Sequence, residues 1–201
     1  MATFSSMDEL GALPATFTTR EALAAGAHSR DVYRWRDDGL IVELSRGVFR
    51  RSDAPAVAYP DLLAVSRRAP RAAVCLLSAA EVYELTDEIP RAVQIAVPRG
   101  ARPPQIRYPP VQVFKFAAET FTLGMEQLDI ADGEHVRITS PARTVVDLMR
   151  FRRSVGEPLA LVALRRYLAS PDGRPTTLIA LARSLGVLGP VRMAVDVLEA
   201  S

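Results

Sequence analysis

The sequence predicts an α+β protein: an N-terminal winged helix-turn-helix, then a mixed α/β domain with a small sheet and a helical C-terminal third. Three observations predict it. Residues 17–51 read as two short helices, a tight turn and a two-stranded ribbon. Residues 72–150 alternate short apolar runs with capped helical segments and proline-rich loops. Residues 158–200 are apolar at helical spacing and are broken by SPDGRP and by Gly189-Pro190. The implied division is 1–58 and 59–201, meeting in the proline-punctuated stretch SDAPAVAYP.

Each element of the first segment has its own reason. Met7, Leu10 and Leu13 predict a brief helix over 5–13, ended by Pro14, that packs behind the winged helix. Thr18 and Glu21 have capping-box spacing and open the next helix, which Gly26 closes in a left-handed conformation. A second helix opens at His28 or Ser29, the latter being the better capping type, and ends at Gly39. Val32 and Trp35 share one side of it, and Arg30, Tyr33, Arg34 and Asp37 share another. Leu40, Val42 and Leu44 then alternate with Ile41 and Glu43 at the strand period, Ser45-Arg46-Gly47 turns, and Val48 to Arg51 return.

An apolar side that seats a helix and an Arg/Tyr side left free suit a recognition helix. The major groove of B-DNA admits one helix, and Arg forms bidentate bonds to guanine there. Arg30, Tyr33 and Arg34 are the candidates for groove contacts, Thr18, Thr19 and Ser29 for backbone contacts, and Arg46, Arg50 and Arg51 for a wing on phosphates. The alternative is that these arginines are solvated surface. Of 25 basic residues 24 are Arg, a bias that a G- and C-rich genome also produces. Distribution is more informative than the net charge of +2: residues 89–118 hold Arg91, Arg99, Arg102, Arg107 and Lys115 and no acid. The loop PRGARPPQIRYPP within that block reads either as an irregular connector whose prolines protect a sheet edge, or as a basic loop for DNA or a partner.

Farther along, Asp61–Ala69 predicts a helix and 72–77 a short buried strand. Ser78 and Glu81 form a second capping box, opening a helix through Leu85. Ala92–Val97 predicts a strand with Val111–Phe116 as its return partner, and Gly124–Gly133 a loop with a short strand. Ser140-Pro141 opens a helix in which Arg143 and Asp147 can pair on the surface, worth a few tenths of a kcal/mol. Three amphipathic helices follow and predict a cap on the small sheet.

The segments TTREALAAG, YRWRDDGLI and ELSRGVFR resemble the N-terminal winged helix of AbiEi-type antitoxins. The resemblance continues, in order, through CLLSAAEVYELTDEIP, VQIAVPRGARPP and RITSPARTVVDLMR, and covers residues 17–153. It implies a transcriptional autorepressor that binds inverted repeats of double-stranded operator DNA as two copies. It also implies a counteracted toxin, nucleotidyltransferase-like and encoded beside it, with direct contact between the two left open. Under it Arg99, Arg102 and Arg107 add phosphate contacts, and the SPART segment is structural, its Arg143 tying helix to sheet.

Other function classes lack their marks. One cysteine and two histidines supply no metal cluster, and no GxxxxGK[ST] or GxGxxG occurs, so no cofactor is expected. A Mg²⁺ nuclease of PD-(D/E)xK type needs a carboxylate two residues before its lysine, but Val113 precedes Lys115, the single lysine. A cytoplasmic, non-enzymatic protein is expected, with no membrane span and no signal-peptide pattern in MATFSSMDEL. Two competing readings remain: a toxin-binding adaptor that does not need DNA, and a degenerate nuclease-related protein.

Overall fold

The computed structural model describes residues 9–199. The first segment builds β1 (Thr16–Thr18), α1 (Thr19–Ala24), α2 (Ser29–Asp37), β2 (Ile41–Ser45) and β3 (Val48–Arg51), an antiparallel sheet in the order β1-β3-β2. This is winged-helix topology. Trp35 and Val32 pack with Phe17, Ile41 and Phe49, the last two aromatic rings 5.9 Å apart where β1 and β3 face each other. Residues 9–11 are helical, and Leu10 and Leu13 close the back of this core. The rest of the helix expected over 5–13, Met7 included, lies outside the described residues.

Two local expectations change. His28, not Ser29, is the N-cap of α2, because Asp31 Oδ2 accepts from His28 N at 3.1 Å and leaves Ser29 as the first helical residue. In the ribbon Ile41 faces the core and Val42 is 55% exposed, and the register shifts between Glu43 and Ser45. Strand parity alone could not say which of the two alternating sets points inward.

The second unit comprises α3 (Pro60–Arg68), β4 (Ala73–Val74), α4 (Leu76–Val82), β5 (Val93–Pro98), β6 (Val111–Phe116), a 3₁₀ turn (Ala118–Thr120), β7 (Met125–Ala131) and β8 (Glu134–Thr139). Then come α5 (Pro141–Arg150), α6 (Arg152–Val155), α7 (Glu157–Ala169), α8 (Pro175–Ser184) and α9 (Leu188–Glu199). The five strands lie in the order β6-β5-β4-β8-β7. Successive residues point to opposite faces. Ala73 therefore joins the core under α5 and α7–α9, whereas Val74 joins the core with Leu62 and Val65 of α3. The helical C-terminal third covers one face of the sheet.

Several expectations of pairing are corrected. Val111–Phe116 is not an antiparallel return strand: β6 runs parallel to β5, with Val93 opposite Val111. A parallel connection must cross back along the sheet. The proline-rich segment 99–110 does this without a helix, and Ala101 and Ile106 lie against the α3 face. The Ser78–Glu81 capping box does not form. The helix starts earlier, at Leu76, and Ser78 Oγ instead accepts from Gln94 N at 2.9 Å, while Gln94 Oε1 accepts from Leu77 N at 2.8 Å. Between Gly124 and Gly133 stands the seven-residue strand β7, paired with β8.

Arg143 and Asp147 do pair at i, i+4, but in the core and not on the surface: both side chains have no exposure, with Nε 2.6 Å from Oδ2. Arg143 Nη1 also donates to Thr120 O at 3.0 Å and to Leu123 O, and its guanidinium lies 5.3 Å from the Phe116 ring centre. It thus ties α5 to the chain around Gly124. Burial pushes the Asp147 carboxyl up to about 6, although Arg143 and Arg150 both pull it down.

Candidate nucleic-acid interface

Helix α2 is seated by Trp35 and Val32 and presents the opposite side to solvent. Arg30 is exposed, Tyr33 is 56% exposed, and Arg34 is 48% exposed with Nη2 held 2.9 Å from Asp31 Oδ1. Arg36, not singled out by sequence, lies with its guanidinium 5.2 Å from the Tyr33 ring centre and pairs with Asp37 and Glu43. That contact gives the exposed phenol ring a cationic partner on the same helix. Its signal in the sequence is the i, i+3 spacing of Tyr33 and Arg36. Ser29 is exposed at the N-terminal turn.

The three wing arginines separate. Arg46 stands exposed at the turn. Arg50 is buried: Nη1 lies 2.7 Å from Thr16 Oγ1 and 2.6 Å from Glu134 Oε2, and Nη2 donates to Pro55 O at 2.6 Å. Arg51 pairs with Asp53 at 2.6 Å and donates to Gly11 O and Leu13 O. Both lie at the base of the ribbon, Arg50 about 10 Å from the turn at strand rise, so neither projects as a wing tip does. Thr18 and Thr19 are also engaged. Thr18 Oγ1 accepts from Glu21 N at 3.2 Å and Thr18 N donates to Glu21 Oε2 at 2.6 Å, which makes the predicted capping box. Thr19 N donates to Gly47 O at 3.0 Å, which fixes α1 against the wing turn.

The basic loop comes to the same place. Ser45 Oγ, 3% exposed at the wing, donates to Tyr108 O at 2.6 Å. Arg99, Arg102, Arg107 and Tyr108 are all exposed. This hydrogen bond holds the Tyr108 backbone against the wing strand at Ser45, the residue before Arg46. Thr18 and Glu21 instead line a cleft of about 510 Å³ with Arg67, Gln127, Glu134, His135 and Arg137 of the second unit. Among the described residues no group of three or more His, Cys, Asp or Glu could hold a metal ion, and no helix is long and apolar enough to cross a membrane.

Comparison with known proteins matches two stretches of the chain. Residues 14–52, the winged helix from β1 to β3, match a family described as transcriptional regulator, AbiEi antitoxin. Residues 72–170, from before β4 through α7, match the AbiEi antitoxin C-terminal domain. The two matches span about two-thirds of the sequence, in the family's order. The chain belongs to the AbiEi antitoxin family. An AbiEi antitoxin is a transcriptional regulator of a toxin–antitoxin system, and that coarse role is this chain's. No curated protein matches the sequence. Among solved structures, the crystal structure of RV2827C protein from Mycobacterium tuberculosis aligns over 97% of this chain and 76% of its own, with a TM-score of 0.67 and 16% identity. That likeness speaks to the fold.

Proposed function

We propose that this AbiEi antitoxin represses its own operon by binding inverted repeats in the promoter, and counteracts a nucleotidyltransferase-like toxin encoded beside it. Helix α2 enters the major groove with Arg30, Tyr33 and Arg34 at base edges, and Ser29 at its N-terminus meets the backbone. Arg46 at the wing and Arg99, Arg102 and Arg107 on the crossover loop hold phosphates. Thr18 and Thr19 serve by fixing α1 to the wing; Arg50 and Arg51 hold the ribbon in place. Two copies occupy the two half-sites, since a paired site mirrors the symmetry of what binds it.

The observation that carries this reading is an exposed Arg/Tyr side on the seated helix α2, together with an exposed arginine at the wing turn and a basic loop tied to the wing strand through Ser45 and Tyr108. Fluorescence anisotropy of a labelled duplex carrying the upstream region tests it. Binding should be at least about 10³-fold tighter to that duplex than to an unrelated one at physiological salt. Equal affinity for both would remove base reading by α2.

A further inference from the structure

We propose that Glu134 and Ser45 are positioning residues: they lock the winged helix to the second unit so that α2, the wing and the crossover loop meet one duplex as a single surface. The inference rests on the DNA-binding reading above and adds to it the device that keeps the two halves in phase.

Glu134 begins β8 and its side chain is 4% exposed. It takes Arg50 from β3 at 2.6 Å, and Arg67 of α3 approaches to 3.7 Å. Arg50 also reaches Thr16 and the linker carbonyl of Pro55, so one guanidinium ties β1, β3, the linker and the second sheet. Arg67 donates to Thr16 O at 2.8 Å and pairs with Glu21, the capping residue of α1, at 3.4 Å. A buried ion pair is a poor way to gain stability, because desolvation offsets most of its attraction. It is directional, however, and holds two surfaces in one relative orientation where an apolar contact allows sliding.

Ser45 makes the other latch, at the far end of the same ribbon. Arg50 and Ser45 are separated by about 10 Å of strand, so together they define an axis, and Arg67 of α3, bound to Thr16 O of β1, blocks rotation about it. Phosphates on a duplex are spaced by the groove. A loop whose arginines rotate relative to α2 therefore loses contacts even when every arginine is intact.

The test is a coupling measurement on the full chain with the upstream duplex over a salt series. Wild type, Glu134→Gln and Ser45→Ala are each compared with and without Arg102→Ala, with thermal melts to show that each is folded. In wild type, Arg102→Ala lowers the salt slope by about one. Glu134→Gln and Ser45→Ala each lower it by about two to three, the share of the three loop arginines at about 0.9 apiece. In either background Arg102→Ala then changes the slope by less than about 0.3, because its contact is already gone. Ser45→Ala removes no charge, so it decides the matter if Glu134→Gln does not fold. A full Arg102→Ala effect in both latch variants would overturn the positioning role while leaving DNA binding standing. Absence of wild-type binding would instead overturn the DNA reading itself.

Discussion

Replacing Arg143 with Met keeps the apolar stem of the side chain and removes its charged head, and it should cost about 3–5 kcal/mol of folding stability. The magnitude follows from what remains. Asp147 stays fully buried with its Oδ2 partner gone and Oδ1 3.9 Å from Arg150 Nη1. The carbonyls of Thr120 and Leu123 lose a donor, at about 1 kcal/mol each. Adding Asp147→Leu removes the stranded carboxylate and should recover about half of the loss, leaving the two carbonyls as the deficit. The sign with pH is also set. Burial raises Asp147 from 3.8 to about 6 with Arg143 present, and Arg143 is the largest influence lowering it, so its loss raises the value further. A raised carboxyl penalises the folded state as pH climbs from the unfolded value through the folded one. The Arg143→Met deficit should therefore be larger at about pH 7.5 than at about pH 5. Urea unfolding at the two pH values measures both effects. A loss below about 1 kcal/mol, or a double variant no better than the single, would contradict a buried pair and return Arg143 and Asp147 to the surface role their spacing suggested.

Arg34→Ala should weaken binding to the upstream duplex by about 1–3 kcal/mol and relax sequence choice, read by competition with base-substituted duplexes; an unchanged curve removes Arg34 from the groove. Arg46→Ala should lower the salt slope by about one, whereas Arg51→Ala, whose guanidinium is held by Asp53, Gly11 and Leu13, should leave it unchanged. Gly47→Ala should destabilise the wing by about 1 kcal/mol, since Gly47 has φ +73° and a Cβ there would sit 3.2 Å from Thr19 Oγ1. A thermal melt as stable as wild type would contradict that turn geometry.

Periodicity made the winged helix legible, because a recognition helix must have a seated side and an exposed side. Val32 and Trp35 against Arg30, Tyr33 and Arg34 is that division written at 3.6 residues per turn, and the structure keeps it. Partners distant in the chain were not legible. Arg50 looks like any wing arginine until Glu134, from the other sheet, comes to meet it. Arg143 and Asp147 have the same spacing whether the helix face is wet or dry, and what buries them is Phe116 and the Thr120–Leu123 backbone. The direction of β6 was hidden for a related reason: the segment 99–110 is long enough for a loose antiparallel connection or a parallel crossover. In the crossover, Tyr108 reaches the wing strand at Ser45.

Whether α2, Arg46 and the crossover loop grip one duplex is read from a salt-dependent titration of the full chain on its own upstream DNA. Saturable, sequence-selective binding is predicted, with a slope of log K against log salt of about −4 per copy from Arg46, Arg99, Arg102 and Arg107. No binding at micromolar protein and modest ionic strength, or a slope near zero, would contradict it.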